Sequence, residues 1–258
     1  MSERMDLPPV TDGITYDPES GTLLSYDKSI QKYDVFRLPE GVKIIPADFF
    51  KEKLFATKLI LPSTLKVVGS GAFEQTLIEE IEFLDGEGEG HALKIGYFAF
   101  ERINNLRRVR LPKHVCWIWG HAFAYCPSLK ELVFPARLTY LTDISGWAFA
   151  NCDLAQLVLP SGIRYLEDGA FAENYKLKVV SLPRTLKRID KFCFRSARLA
   201  RVSYEGTKEE FDRVIKAGPS RSFTNHYDNS RVGHDWVEEG SMVNGWVDHE
   251  DFELVCEE

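Results

Sequence analysis

LRRVRLPKHVCWIWGHAFAYCPSL, running from Leu106 to Leu129, decides how this chain folds. It opens on Leu-x-x-Val-x-Leu-Pro and passes through Val115 and Ile118. It then closes on Ala122-Phe123 and Cys126 before Leu129 starts the pattern again. Aligned on the proline and the phenylalanine, the unit recurs along the chain. Pro falls at 39, 62, 112, 135, 160 and 183, and the matching Phe at 50, 73, 123, 149, 171 and 194. The Pro-to-Phe spacing is 11 in five of these six units, and the unit at Pro135 is 3 longer. A further copy, Ile78 to Phe100, has Leu84 in place of Pro and an insertion from Asp85 to His91. Self-similarity at a period near 23 residues marks a solenoid of stacked coils.

One unit shows the physical reason. In Leu129-Lys130-Glu131-Leu132-Val133-Phe134-Pro135, alternation turns 129, 132 and 134 inward and leaves 131 and 133 outside, which is a short strand. Pro135 ends it, because proline has no N–H to give to a ladder. The chain turns back and buries a second apolar row through Leu138 with Leu141 or Ile144. Ala148-Phe149 then sets a small residue beside a large ring at the centre of the coil. A single coil cannot bury its apolar side alone, so neighbours must stack.

These units resemble the BspA-type leucine-rich repeats, whose consensus runs roughly L-x-x-I-x-[IL]-P-x-x-[LV]-x-x-I-G-x-x-A-F-x-x-C. The segments ILPSTLKVVGSGAF (60–73), LPSGIRYLEDGAF (159–171) and LPRTLKRIDKFCF (182–194) carry the resemblance. It extends from about Tyr33 to Phe211. It implies an α/β solenoid, mostly β: a right-handed leucine-rich repeat array of about 7–8 coils with one parallel sheet. An N-terminal β-hairpin cap and a C-terminal helix cap are expected to close its ends. The boundaries are a tail and hairpin cap over 1–32, the solenoid over 33–204, the capping helix over 205–218 and an acidic appendage over 219–258.

Local signals support both caps. Ile14-Thr15-Tyr16 and Leu23-Leu24-Ser25-Tyr26 alternate around Pro18-Glu19-Ser20-Gly21, a hairpin signature. After the last strand, Thr207-Lys208-Glu209-Glu210 is a capping box. Its helix turns Phe211 and Val214-Ile215 inward and stops at Gly218-Pro219. Such a GTKEE helix is also familiar at the end of arrays of this family. Beyond it, from Val232 onward, there are nine acids and no Lys or Arg. Without those nine, the chain's net charge of −7 becomes +2, so the acidity belongs to the tail. Aromatic residues Trp236 and Trp246 are interleaved there, and Asn244-Gly245 signals a hairpin. The segment is expected to be a small β appendage docked on the last coil with its acids in water, the alternative being a mobile acidic-aromatic partner motif.

The chemistry-bearing residues form no recognisable catalytic or metal constellation. There is no G-x-S-x-G, phosphate loop, dinucleotide fingerprint or H-E-x-x-H. The six histidines are scattered. His226-Tyr227-Asp228 and the pairs His234-Asp235 and Asp248-His249 lack the third and fourth ligands of a zinc site. Asp85 to Gly90 lacks the ligand spacing of a calcium loop. No pair of carboxylates is singled out for glycoside hydrolysis. Five cysteines, an odd count without C-x-x-C, read as buried small residues in a reducing compartment rather than a disulfide framework. No enzyme activity and no cofactor are expected. The alternative class is a repeat scaffold whose C-terminal segment carries an activity. Clustered, pKa-perturbed carboxylates in a cleft would favour that alternative.

The surface is what remains to carry function. The outward first-strand pairs include Lys58/Ile60, Glu80/Glu82, Arg108/Arg110 and Glu131/Val133, and Glu80/Glu82 facing Arg108/Arg110 predicts a charge ladder. A second outward row, six residues before each Phe, reads Ile44, Val67, Lys94, Trp117, Asp143, Tyr165 and Arg188. Trp117 and Trp119 flank the core residue Ile118, and Tyr140 and Trp147 follow in the next coil. Tyr165 comes one coil later. Trp and Tyr are enriched at binding hot spots. The expected function is therefore a non-catalytic protein-interaction module with Trp117, Trp119, Tyr140, Trp147 and Tyr165 as contact residues. Glu80, Glu82, Arg108 and Arg110 form a secondary candidate surface. No continuous basic stripe points to nucleic acid, and no apolar run reaches the roughly 20 residues of a membrane span. The N-terminus MSERMDLPPVTDG has no apolar core or small-residue cleavage site. The expectation is a cytoplasmic protein, with a surface adhesin as its exported counterpart.

Overall fold

Seven coils follow one another at the repeat spacing. In the computed structural model, residues 9–27, 33–86, 92–216 and 253–256 are described. The chain opens with an antiparallel hairpin of β1 (Thr15–Tyr16) and β2 (Leu23–Ser25). Coil 1 contains β3 (Tyr33–Arg37) and β4 (Ile44–Ile45), coil 2 β5 (Ala56–Leu61) and β6 (Val67–Val68). Coil 3 contains β7 (Glu80–Phe83) and β8 (Leu93–Ile95), coil 4 β9 (Arg108–Arg110) and β10 (Val115–Ile118). Coil 5 contains β11 (Glu131–Val133) and β12 (Asp143–Ile144), coil 6 β13 (Gln156–Val158) and β14 (Tyr165–Leu166). Coil 7 contains β15 (Val179–Leu182) and β16 (Arg188–Ile189). Then come β17 (Arg201–Tyr204), α1 (Lys208–Lys216) and β18 (Glu253–Cys256).

Every pairing between coils is parallel, as the repeat demands. The turn-back row is itself a strand in each coil, so there are two parallel faces rather than one. Each face is also divided, and the division falls at the longer unit. The first strands pair in the order β11-β9-β7-β5-β3, and separately as β13-β15-β17-β18. The second strands pair as β10-β8-β6-β4 and as β12-β14-β16. Coil 5 thus gives its first strand to the N-terminal group and its second strand to the C-terminal group. The three extra residues between Pro135 and Phe149 give the chain the slack to make that step.

Packing records the step. Leu132 and Phe134, inward by pattern, are only partly buried, whereas Val109, Leu111, Leu157 and Leu159 in the neighbouring coils are fully inside. Ile60 departs in the other direction. Pattern places it outward, but it is buried, in register between Arg37 and Glu82.

The third side of each coil is a turn, and it runs unbroken through all seven. In coil 3, Phe98 N–H donates to Gly120 O, Phe100 N–H to Ala122 O and Arg102 N–H to Ala124 O in the next coil. The intervening Ala99 and Glu101 N–H groups donate back to Gly96 O and Phe98 O. No donor from 98 to 102 is left without a partner, which is what a buried backbone requires. The cost is a left-handed residue two before and two after each Phe, with φ of 54–65° at positions such as His121, Trp147, Arg102 and Tyr125. Each non-glycine residue held there costs on the order of 1–3 kcal/mol, and the hydrogen-bond ladder offsets it.

Inside, Phe50, Phe73, Phe100, Phe123, Phe149, Phe171 and Phe194 stack as one column. Their centroids lie 4.8–5.9 Å apart and no interplanar angle exceeds 15°. In four coils the residue three after the Phe closes the turn by bonding carbonyls; Ile103 and Ala197 hold the position in coils 3 and 7. Thr76 Oγ1 donates to Phe73 O, the thiols of Cys126 and Cys152 to Phe100 O and Phe123 O, and Asn174 Nδ2 to Phe149 O and Phe171 O. All five cysteines are free. Burial pushes the Cys126 and Cys193 thiols well up and the Cys152 thiol up to about 12.

Both ends are closed as the sequence suggests. Tyr26 of the hairpin segment is buried against Phe36, Phe49 and Phe50, and Thr22 bridges to Ile44 of the second face. At the other end Thr207 N–H donates to Glu210 Oε2 and Glu210 N–H to Thr207 Oγ1. Phe211 and Val214 are buried beneath the helix. The last described strand, β18, joins the solenoid directly by pairing with β17. The hairpin expected at Asn244-Gly245, the residues His226, His234 and His249, and the 87–91 part of the insertion lie outside the described residues.

Candidate functional site

The second face and the adjoining turns bring three of the five expected contact residues together. β10 is extended, so Trp117 emerges opposite the buried Ile118, with 48 % of its surface exposed. Trp119 lies on the same side, half-buried, its ring centroid 6.3 Å from that of Trp117. The row continues where the sequence was not read for it. Tyr97 sits 5.0 Å from Trp119 and 6.3 Å from Phe98. Phe98 lies 5.3 Å from His121, and His121 stacks at 6.3 Å and 9° on Trp147. Six rings from coils 3, 4 and 5 therefore form one connected ladder. Trp147 ends it by lying over Gly169, where a Cβ would come within 2.7 Å of the indole.

Phe98, His121 and Trp147 occupy the left-handed position two before the core Phe. The flanking coils have Gly71 and Gly169 there. Tyr140 and Tyr165 are exposed but make no ring contact with the ladder among the described residues. Tyr165 lies instead under the Arg188 guanidinium at 5.3 Å. Lys94 Nζ sits 4.6 Å over the Trp117 ring, an arrangement whose attraction is modest at an exposed site.

Beneath the ladder lies a buried ionisable pair. His121 Nδ1 is 4.0 Å from Glu101 Oε1. Burial pushes the Glu101 carboxyl up to about 7, with Arg102 opposing that rise and Glu74 adding to it. Burial and then Arg102 hold His121 below its ordinary value. Its ring lies tilted at 33° against Phe98 and stacked on Trp147, and its buried Nδ1 has no hydrogen-bond partner among the described residues.

The charged candidates on the first face form a real but different network. Registers place Glu80 opposite Arg108 and Glu82 opposite Arg110. Glu82 is the centre, meeting Lys58 Nζ at 2.5 Å and Arg110 Nη1 at 3.3 Å. Arg108 turns away from Glu80 to Glu131 at 3.3 Å, and Arg107 meets Glu79 at 2.6 Å. Arg108 and Arg110 also line a shallow cavity of about 310 Å³ with Val133, Phe134 and Pro135. The exposed pairs, such as Arg107–Glu79 and Arg108–Glu131, contribute ~0–1 kcal/mol each, whereas Glu82 itself is buried.

A third set of acids lies on coils 6 and 7. Burial raises Glu167, Asp168 and Asp190. Glu167 accepts the Gly146 N–H and so ties coil 6 to coil 5, while Asp190 binds Arg188 of its own coil at 2.6 Å. Among the described residues no group of three or more His, Cys, Asp or Glu is arranged to hold a metal ion.

A parallel solenoid of stacked coils belongs to the class of repeat proteins, whose units bury their cores against their neighbours. The sequence profile described as "BspA type Leucine rich repeat region" matches in six copies over residues 26–143 and 93–215, and the chain belongs to that family. Among solved structures, the pneumococcal vaccine antigen PcpA is similar at 18% identity and a TM-score of 0.54, over 77% of this chain and 64% of that one. A leucine rich cell surface protein from Faecalibacterium prausnitzii A2-165 is similar at 21% identity and a TM-score of 0.45, over 70% and 62%. A T. pallidum leucine-rich repeat protein is similar at 24% identity and a TM-score of 0.49, over 74% and 81%. The chain spans less than two thirds of the length of the first two. At these identities the likeness concerns the fold. No curated protein matches the chain.

Proposed function

We propose that the chain is a non-catalytic protein-binding module whose contact surface is the aromatic ladder of coils 3–5. One observation carries this reading: six connected rings, several of them exposed, run through three consecutive coils, and three of them, Phe98, His121 and Trp147, stand at the left-handed turn position that Gly71 and Gly169 hold in the flanking coils. Large rings offer apolar area at low entropy cost, which is how Trp and Tyr anchor interfaces. Tyr97, Phe98 and His121 join Trp117, Trp119 and Trp147 in the surface. Tyr140 and Tyr165 are its rim, and the Glu82–Arg110 network sets partner selection rather than affinity.

Among the described residues no helix is long and apolar enough to cross a membrane. The Faecalibacterium protein is described as a cell surface protein, so export is the alternative to the cytoplasmic expectation, and the ladder would serve in either place. The test compares wild-type protein with a Trp117→Ala, Trp119→Ala variant as bait in native extract, with circular dichroism to show that the solenoid is intact. Capture of the same partner is expected to fall at least about tenfold, as for hot-spot loss. Equal capture by the folded variant would remove the reading.

A further inference from the structure

On the other flank of the same turns lies a cavity of about 510 Å³ that is not lined by the ladder. Gln75, Arg102, Tyr125 and Asn151, the left-handed residues two after each Phe in coils 2–5, form its floor. The left-handed backbone is common to that whole column, so it says nothing about a ligand. The side chains do. Arg102 is exposed, and its guanidinium joins no ion pair and no hydrogen bond among the described residues. It lies 5.7 Å from the Tyr125 ring centroid. Several arginines of the array are matched to acids, as Arg107 is to Glu79, Arg184 to Glu210 and Arg195 to Glu173, while Arg137, Arg164 and Arg198 share with Arg102 the lack of an ion pair among the described residues. Arg102 has only neutral neighbours in its own column, Gln75 before it and Tyr125 after it.

The rest of the lining is equally specific in type. The side-chain amides of Asn104 and Asn151 and the Tyr125 hydroxyl have no hydrogen-bond partner among the described residues, while Gln75 holds only the adjacent Glu74. Carboxamides donate and accept at once, which matches hydroxyl groups. Leu77 and Pro127 give the site an apolar side. We infer that this cavity binds a carboxylated sugar, with Arg102 holding the carboxylate and the carboxamides holding ring hydroxyls. A guanidinium fork suits a carboxylate, and the concavity, open to solvent on one side, offers about 510 Å³ beside it. That volume exceeds what a single acidic side chain of a protein partner would fill.

The probe is D-glucuronic acid, titrated into the ¹⁵N-labelled full chain and followed by amide shifts. Methyl glucoside, acetate and N-acetyl-glutamate amide are the comparison arms. The expected result is saturable shifts at residues 102–104 and 125–127, with glucuronate at least about tenfold tighter than any of the three comparisons. Arg102→Gln is expected to weaken glucuronate about tenfold, the loss of a charge-assisted contact, and Tyr125→Phe to weaken it less. The Trp117→Ala, Trp119→Ala variant is expected to bind glucuronate as wild type does, which separates this site from the protein-binding ladder. Four results would each overturn the inference: no shifts at those amides, acetate equal to glucuronate, the glutamate amide equal or tighter, or a folded Arg102→Gln chain that binds unchanged.

Discussion

Glu101 and Gly169 are single residues whose behaviour follows from the coil they stand in. The Glu101 carboxyl has a folded pKa of about 7 against an ordinary 4.5. Between those values the folded chain holds the proton that the unfolded chain has released, so this residue lowers stability as pH rises through that window. Glu101→Gln removes the titration. Its stability relative to wild type is expected to be greater at pH 8, by on the order of 2 kcal/mol, with most of that gain gone at pH 4; urea denaturation at both values measures it. A gain of equal size at both values would show that carboxyl ionisation is not the cause. Gly169 has φ +63° and touches the Trp147 indole. Gly169→Ala is expected to cost about 1–3 kcal/mol and to shift tryptophan emission to the red as the indole is displaced; unchanged emission would place Trp147 elsewhere. The Phe column could be read from the sequence because one residue type recurs in one place. The ladder position could not, since it reads Asp48, Gly71, Phe98, His121, Trp147, Gly169 and Phe192. Its left-handed backbone is imposed by the next coil's carbonyls rather than by residue type, so composition carries no signal of it.

Coil 5 is the element whose behaviour differs from its pattern. Its 14-residue spacing stood out in the sequence, but the division of both faces did not follow from length alone. Which neighbour a strand pairs with depends on backbone bonds between coils, and side-chain alternation is the same in either case. The facing edges of β11 and β13 are not paired with each other, whereas β7 is paired on both edges. Amides of 129–135 and 154–160 are therefore expected to exchange hydrogen faster than those of 78–84, because fewer of them sit in a ladder. Mass spectrometry of the corresponding peptides checks this. Equal protection in all three would mean that the first face closes in solution. The charge pairs of the first face were only partly legible for a similar reason: register placed Glu80 opposite Arg108, but Arg108 reaches Glu131 on its other side.

At the scale of the molecule, stability is a sum over coils and their contacts. The phenylalanine column runs through every one of those contacts, and Phe123 is fully buried at the middle of it. Phe123→Ala is expected to cost about 3–5 kcal/mol. A loss below about 1 kcal/mol in a denaturant titration would show that the column is not a principal source of cohesion. The stack of coils and both caps were readable from the sequence because each rests on a local signal repeated or bounded at fixed spacing. The tail also suggested a β appendage docked on the last coil, and β18 does join β17. That it adds one more parallel strand to the first face was not legible, because four residues of alternating type do not say which edge they will join.

The division at coil 5 also bears on how the array resists being pulled apart. A plane between coils 4 and 5 crosses an open second face but a bonded first face, and a plane between coils 5 and 6 crosses the reverse. In both planes the turn side is bonded, through Phe123 N–H to Ala148 O and Phe149 N–H to Ala170 O. The arrangement is that of a lap joint in carpentry, where two butted ends are offset so that no straight cut meets both. Coil 5 is the overlap. A seam that would have left two weakly joined halves, had both faces opened in the same plane, is instead spread over two planes that each keep one sheet intact.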